Sequence, residues 1–191
     1  MTTDDLLARE AIRHCVLRHF RAADRCDAAL MHAAWWDDGR FVGGPVEGTA
    51  REFVAVLMDM LPAAFDAVMH YIANILIDVA DDGARAELYG IGWHLLIDDP
   101  AAIAGAIGET AFASIEYARG KRFEMLVGVR YAVTLARRGT EWRIATMQPI
   151  IEWTRVQPSA GIVEGGLPAA MPTLPHRDTA DASYFGGDWR P

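Results

Sequence analysis

Apolar residues recur at helical spacing near the start of the chain. Ile12, Val16 and Phe20 stand at i, i+4 and i+8, flanked by Cys15 and Ala23. That spacing is one buried face of an amphipathic helix. Thr3 ahead of Asp4 and Asp5 predicts the helix start, a capping hydroxyl followed by negative charge at the positive end of the dipole. The same apolar row continues onto Asp24. Asp27 predicts the N-cap of a second helix, from Ala28 to about Trp36, closed by an Asp37-Asp38-Gly39 turn. Arg40 to Val42 reads as a short strand, broken at Gly43-Gly44-Pro45. Thr49 and Glu52 form a capping box. It opens a third helix that runs to about Met60 and stops near Pro62.

From Val68 the pattern changes to the strand type. Val68–Val79 is rich in Ile, Val and Tyr, and Asp81-Asp82-Gly83 turns it into Ala84–Ile97. A softer, Ala-rich stretch, Asp98–Gly120, reads as an insertion with some helical character. Lys121–Ala136 and Glu141–Trp153 complete a second hairpin around Arg137-Arg138-Gly139. Three helices followed by long antiparallel strands predict an α+β domain over 1–155, its helices against one face of a strongly curved antiparallel sheet. Such a sheet leaves a pocket open at one end. Residues 156–191, rich in Pro and Gly and without periodicity, predict a C-terminal arm or tail.

Composition narrows the function. With 191 residues and 52% apolar content the chain builds one sizeable core. A net charge of −8 without a basic cluster argues against nucleic acid and anionic membranes as partners. No apolar run reaches the roughly 18 residues of a membrane span. The acidic MTTDDLLARE start is unlike a secretory leader, so a cytoplasmic location is expected. Cys15 and Cys26 do not form a CxxC or another metal spacing and read as free thiols.

Two residues break the apolar pattern in a chemically useful way. Asp24 continues a buried helical row, where a carboxylate is costly unless paired; the alternative is a solvated turn residue beyond the helix end. His70 shares a strand face with Val68, Ile72, Asn74 and Leu76. Mostly apolar lining with a few polar groups is how ligand pockets are built, although a lone core histidine fits the same pattern. Met69, Tyr71, Ala73, Ile75 and Ile77 make the opposite face, which reads as core. His94, among Gly90, Gly92 and Leu96, and Arg130, among Gly128 and Ala132, are further candidates, with small neighbours leaving room for a ligand. Arg130 reads equally as an ion-pair partner. Nucleophile-elbow, P-loop, dinucleotide-binding and HExxH motifs are missing from the sequence.

Four segments in order carry a resemblance. Ala22-Ala23-Asp24-Arg25-Cys26-Asp27 resembles the helix-one-to-helix-two junction of SnoaL-like proteins, members of the nuclear-transport-factor-2-like superfamily. Trp35-Trp36-Asp37-Asp38 and His70-Tyr71-Ile72-Ala73-Asn74 are similar to segments of lindane dehydrochlorinase within it. Gly128-Val129-Arg130-Tyr131, with Trp142-Arg143-Ile144, resembles the closing hairpin. The resemblance covers about 5–155. It implies a cone-like fold and an Asp24–His70 dyad that abstracts a proton without cofactor or metal, as in scytalone-dehydratase-type lyases. His94 is similar in placement to a second pocket histidine of that type. Asn74, Arg130 and Tyr131 are further candidates for binding a small apolar aromatic or cyclic substrate, with Tyr71 and Tyr89 equally able to supply a hydroxyl, and the resemblance implies a dimer or trimer. Elimination of water or halide, isomerisation and retro-aldol cleavage all begin with that proton transfer. A non-catalytic ligand-binding module, or the small subunit of a ring-hydroxylating dioxygenase, are the competing readings.

Overall fold

The computed structural model describes residues 2–43, 47–159, 166–171 and 175–185. Helix α1, Thr3–Arg25, starts one residue earlier than expected. Thr2 is its N-cap: its hydroxyl accepts from the Asp5 amide, and the Asp5 carboxylate accepts from the Thr2 amide. The apolar row Ile12, Val16, Phe20 is buried, and Cys26 closes the helix in the left-handed region at φ 50°. Helix α2, Ala28–Ala34, is capped by Asp27 as expected.

It ends before the predicted Trp36. Trp35 already belongs to strand β1, Trp35–Phe41, so Asp37-Asp38-Gly39 lies within a strand rather than in a turn. The reason is tertiary. Trp35 is buried and pairs with Ile144 across the sheet, and the bulge before Arg40 absorbs the acidic pair. The expected break at Gly43–Pro45 falls mostly outside the described residues. Strand β2, Gly48–Thr49, leads into helix α3, Ala50–Ala64, opened by the Thr49–Glu52 capping box. Pro62 stands inside its last turn instead of ending it.

Strands β3 (Phe65–Ala80), β4 (Gly83–Leu96), β5 (Phe123–Arg138) and β6 (Glu141–Pro158) form a meander. The sheet order is β2-β1-β6-β5-β4-β3. It is mixed rather than purely antiparallel, because β1 runs parallel to β6. Register shifts at Ile72/Ile75, Gly128/Val129 and Thr134/Leu135 mark bulges, which bend strands and sharpen their twist. The curved, unclosed sheet holds α1, α2 and α3 in its concave side, with Ile12, Val16, Leu30, Trp35, Leu88, Ile144 and Met147 at the core centre.

The 98–120 insertion folds into two short helices, α4 (Pro100–Ile107) and α5 (Glu109–Ser114). Part of the C-terminal segment includes helix α6 (Gly166–Ala169) and a 3-10 turn, Ala182–Tyr184. Residues 175–185 lie against the helices. The Arg177 guanidinium donates to the carbonyls of Leu61 (3.4 Å) and Phe65 (2.5 Å), Arg25 faces Asp181 at 3.9 Å, and the Tyr184 hydroxyl donates to Asp27 (2.9 Å). This stretch therefore ties the end of α3 to the α1–α2 junction.

Candidate active site

Asp24 is in the last turn of α1 and only 9% exposed. One carboxylate oxygen is 2.7 Å from His70 Nδ1, and the other accepts the backbone amide of His70 at 3.1 Å. A carboxylate accepts only, so Nδ1 carries a proton, and in the neutral form of the ring the lone pair is then on Nε2. The anion sits at the unfavourable end of the α1 dipole, and the two donors of His70 compensate it. Helix α1 and strand β3 thus bring together two residues 46 positions apart.

His70 lines a partly open cavity of about 400 Å³ between the helices and the concave sheet face. Its walls are mainly apolar: Phe20, Phe41, Phe53, Leu57, Met60, Leu61, Phe65, Val127 and Val129 among them. Ala106 of α4 closes one side, which is the contribution of the insertion. The volume is in the range of small-molecule sites. Asp24 lies on the other side of the His70 ring, in a more open cleft of about 420 Å³ that His70 also lines, with Leu17, Arg21, Arg25 and Tyr71. Nε2 is the atom turned to the inner cavity. A Cβ placed on Gly92, which lines that cavity, would lie 3.5 Å from His70 Nε2 and Cδ2. A larger cleft of about 590 Å³ between Leu76, Arg85, Glu87 and Gln148 contains no histidine or cysteine.

His94 and Tyr131 also line the inner cavity. The His94 ring stands perpendicular to that of His70 at 5.7 Å and against Phe65 at 4.8 Å. Its Nδ1 is enclosed and has no well-formed hydrogen bond among the described residues. Burial pulls the His94 pKa down to about 4, with His70 adding to the effect, so the ring is neutral near pH 7. Gly92 is required by close approach: a Cβ there would come within 2.7 Å of His94 Cε1. Tyr131 packs edge-on to Phe20 at 4.9 Å. Burial, with the Asp24 charge nearby, raises its pKa, so its hydroxyl stays protonated and can donate.

Two expectations are corrected. Asn74 does not line the pocket; it is exposed. Inward positions on β3 are Val68, His70 and Ile72, then Ile75, Ile77 and Val79, because the bulge at Ala73–Asn74 shifts the alternation by one. The same register turns Met69, Tyr71 and Leu76 outward, so the odd-numbered face taken as core is exposed over its first half. Arg130 also leaves the pocket. Odd positions of β5, Met125 to Tyr131, face the cavity, and Arg130 points to the outer face between Glu152 (2.6 Å) and Glu87 (3.3 Å).

Sequence reasoning missed His19 as a cavity residue. It is 4% exposed and lines the same cavity, stacked on Phe53 and edge-on to Phe20. Its spacing on α1, four residues after Cys15 and four before Ala23 on the buried face, was the available signal.

The hexachlorocyclohexane dehydrochlorinase LinA type 2 superposes with a TM-score of 0.64 at 17% identity, covering 86% of this chain and 97% of that one. The LinA type 3 enzyme of Novosphingobium barchaimii gives 0.64 at 17%, covering 83% and 94%. A putative scytalone dehydratase of Novosphingobium aromaticivorans gives 0.62 at 16%, covering 87% and 100%. At these identities the likeness establishes a shared fold. No curated protein matches the chain in sequence. A family model for the SnoaL-like domain matches residues 4–148, three quarters of the chain, and the protein belongs to the SnoaL-like family.

Proposed function

We propose that the chain is a cofactor-independent lyase or isomerase in which His70 removes a proton from a small apolar cyclic substrate. The observation that carries this reading is the 2.7 Å Asp24–His70 contact at the wall of a largely apolar cavity. In the proposed step Nε2 of His70 takes a proton from substrate carbon. Asp24 remains a carboxylate, holds the ring in the Nδ1–H tautomer and stabilises the imidazolium as it forms. The electron pair left on carbon then expels a hydroxide or halide at the neighbouring carbon. In an isomerisation it is reprotonated at another carbon instead. His94 and Tyr131 are the proposed neutral donors to the leaving group or to a developing oxyanion. The dehydrochlorinase and dehydratase names of the structural neighbours support this class of chemistry.

The exposed outer sheet face, with Tyr71, Ile91, Ile151 and Trp153, supports the further proposal of a homo-oligomer; light scattering of the purified chain tests it. The chemistry is tested by incubating wild type and His70→Ala in D₂O with aryl ketones, steroids and halogenated rings and reading mass changes. Deuterium uptake or elimination by wild type, lost in His70→Ala, is the expected result. Reaction at equal rates in both proteins refutes the role of His70. Binding of the compounds without turnover in either favours the non-catalytic binding module.

A further inference from the structure

The Trp35 indole N–H is 3.1 Å from Nδ1 of His19, and the pair is buried. An indole nitrogen donates and cannot accept. Nδ1 of His19 must therefore carry the lone pair, and the single ring proton of the neutral imidazole is on Nε2. Protonating Nδ1 would set two N–H groups against each other without solvent, so the contact itself keeps His19 uncharged. Burial acts in the same direction and holds its pKa down to about 3, with His70 adding to the effect. Among the described residues no protein acceptor is found for Nε2. His19 lines the inner cavity together with His70. The cavity therefore holds a base whose Nε2 accepts and, across Phe20, a histidine whose Nε2 donates.

We propose that His19 is a substrate-recognition residue whose Nε2–H binds an uncharged acceptor oxygen, so that the site takes carbonyl-bearing apolar ring compounds. A permanently neutral donor in apolar walls favours a ketone or ester oxygen, since a carboxylate would be buried without a counter-charge. The acceptor sits in reach of the same cavity that His70 faces, so the C–H acidified by that carbonyl is the one presented to the base. This assignment builds on the proposed proton abstraction only in that last respect. Its test is therefore made in His70→Ala, where no turnover is needed.

Histidine ¹⁵N spectra of His70→Ala, with His19 assigned through its contact to the Trp35 indole proton, are recorded with indanone and with indane. These two rings differ only in the carbonyl. His19 is expected in the neutral Nε2–H form, with Nε2 moved by indanone and unmoved by indane. Binding constants for both probes are measured in parallel in His70→Ala and in His70→Ala/His19→Phe. The preference for indanone over indane is expected to fall by about tenfold on loss of His19, the worth of one hydrogen bond. A charged or Nδ1–H His19, equal responses to the two probes, or no response to either overturns the proposal. The spectra decide the matter even if His19→Phe does not fold. Failure of the proton-abstraction reading would show instead in the D₂O experiment and leave these results untouched.

Discussion

Replacing Asp24 by Asn separates the two things its carboxylate does. The site presents two donors from His70, the Nδ1–H at 2.7 Å and the backbone amide at 3.1 Å. A carboxylate accepts both. An asparagine has the same shape but one acceptor and one donor, so it cannot satisfy both while His70 keeps its tautomer. Keeping Nδ1–H would orphan one buried donor, at a cost of about 1–3 kcal/mol. Moving the ring proton to Nε2 lets the amide NH₂ donate to Nδ1 and its oxygen accept from the backbone, with nothing orphaned. The second arrangement is the less costly. Asp24→Asn is therefore expected to lose about 1 kcal/mol or less, a shift of about 2–4 °C in Tm for a chain of this size. It should nevertheless lose proton abstraction by about 10²–10⁴-fold, because Nε2 is now protonated. Asp24→Ala orphans both donors and is expected to cost roughly 2–4 kcal/mol. Thermal unfolding and histidine ¹⁵N spectra check the pair together. An Asp24→Asn protein of wild-type stability that retains the Nδ1–H tautomer would refute the reasoning.

Gly92→Ala places a Cβ 2.7 Å from His94 Cε1. It is expected to displace the His94 ring against Phe65 and to weaken binding of any cavity ligand, with a stability cost of about 1–3 kcal/mol from overpacking; calorimetry reads both. Arg130→Ala removes two outer-face ion pairs, with Glu87 and Glu152, and a contact with the Tyr89 ring, and should leave ligand binding in the inner cavity at the wild-type level. Stability should fall with acid in a defined window. His19 and His94 have folded pKa values near 3 and 4 against an ordinary 6.5, so below 6.5 the unfolded chain binds more protons than the folded one. Unfolding free energy is then expected to drop by about 1.4 kcal/mol per pH unit for each histidine between pH 6.5 and 4; denaturant titrations of wild type and His94→Phe should show the shallower slope in the variant. Arg177→Ala removes hydrogen bonds to the Leu61 and Phe65 carbonyls at the end of α3. It is expected to speed proteolysis of the 175–185 segment, read by mass spectrometry.

Local rules carried the helices. A capping box at Thr49–Glu52, an Asx cap at Asp27 and the Ile12–Phe20 row depend on neighbours within four residues, so all three are legible from the chain alone. So are the Asp81–Gly83 turn and the Ile-, Val- and Tyr-rich run that marks β3, because both depend on residue types close together in the chain. The errors fell where a partner distant in sequence decided the outcome. Trp35 looked like the end of a helix, but its indole is taken up by His19 and its backbone by Ile144. Which strand residues face inward was legible only up to the first bulge. One extra residue at Ala73–Asn74 inverts the parity, and no local signal in an Ile- and Ala-rich run announces it.

The candidate site divides the same way. Sequence alone singled out Asp24 as a carboxylate on an apolar row and His70 as a polar residue on an apolar face, because burying either without a partner is costly. Only the tertiary structure decided that each is the other's partner, since α1 and β3 meet 46 residues apart. It also turned Arg130 and Asn74 away from the cavity and turned His19 into it. Composition and periodicity report which groups must be satisfied; the curvature and register of the sheet decide by whom.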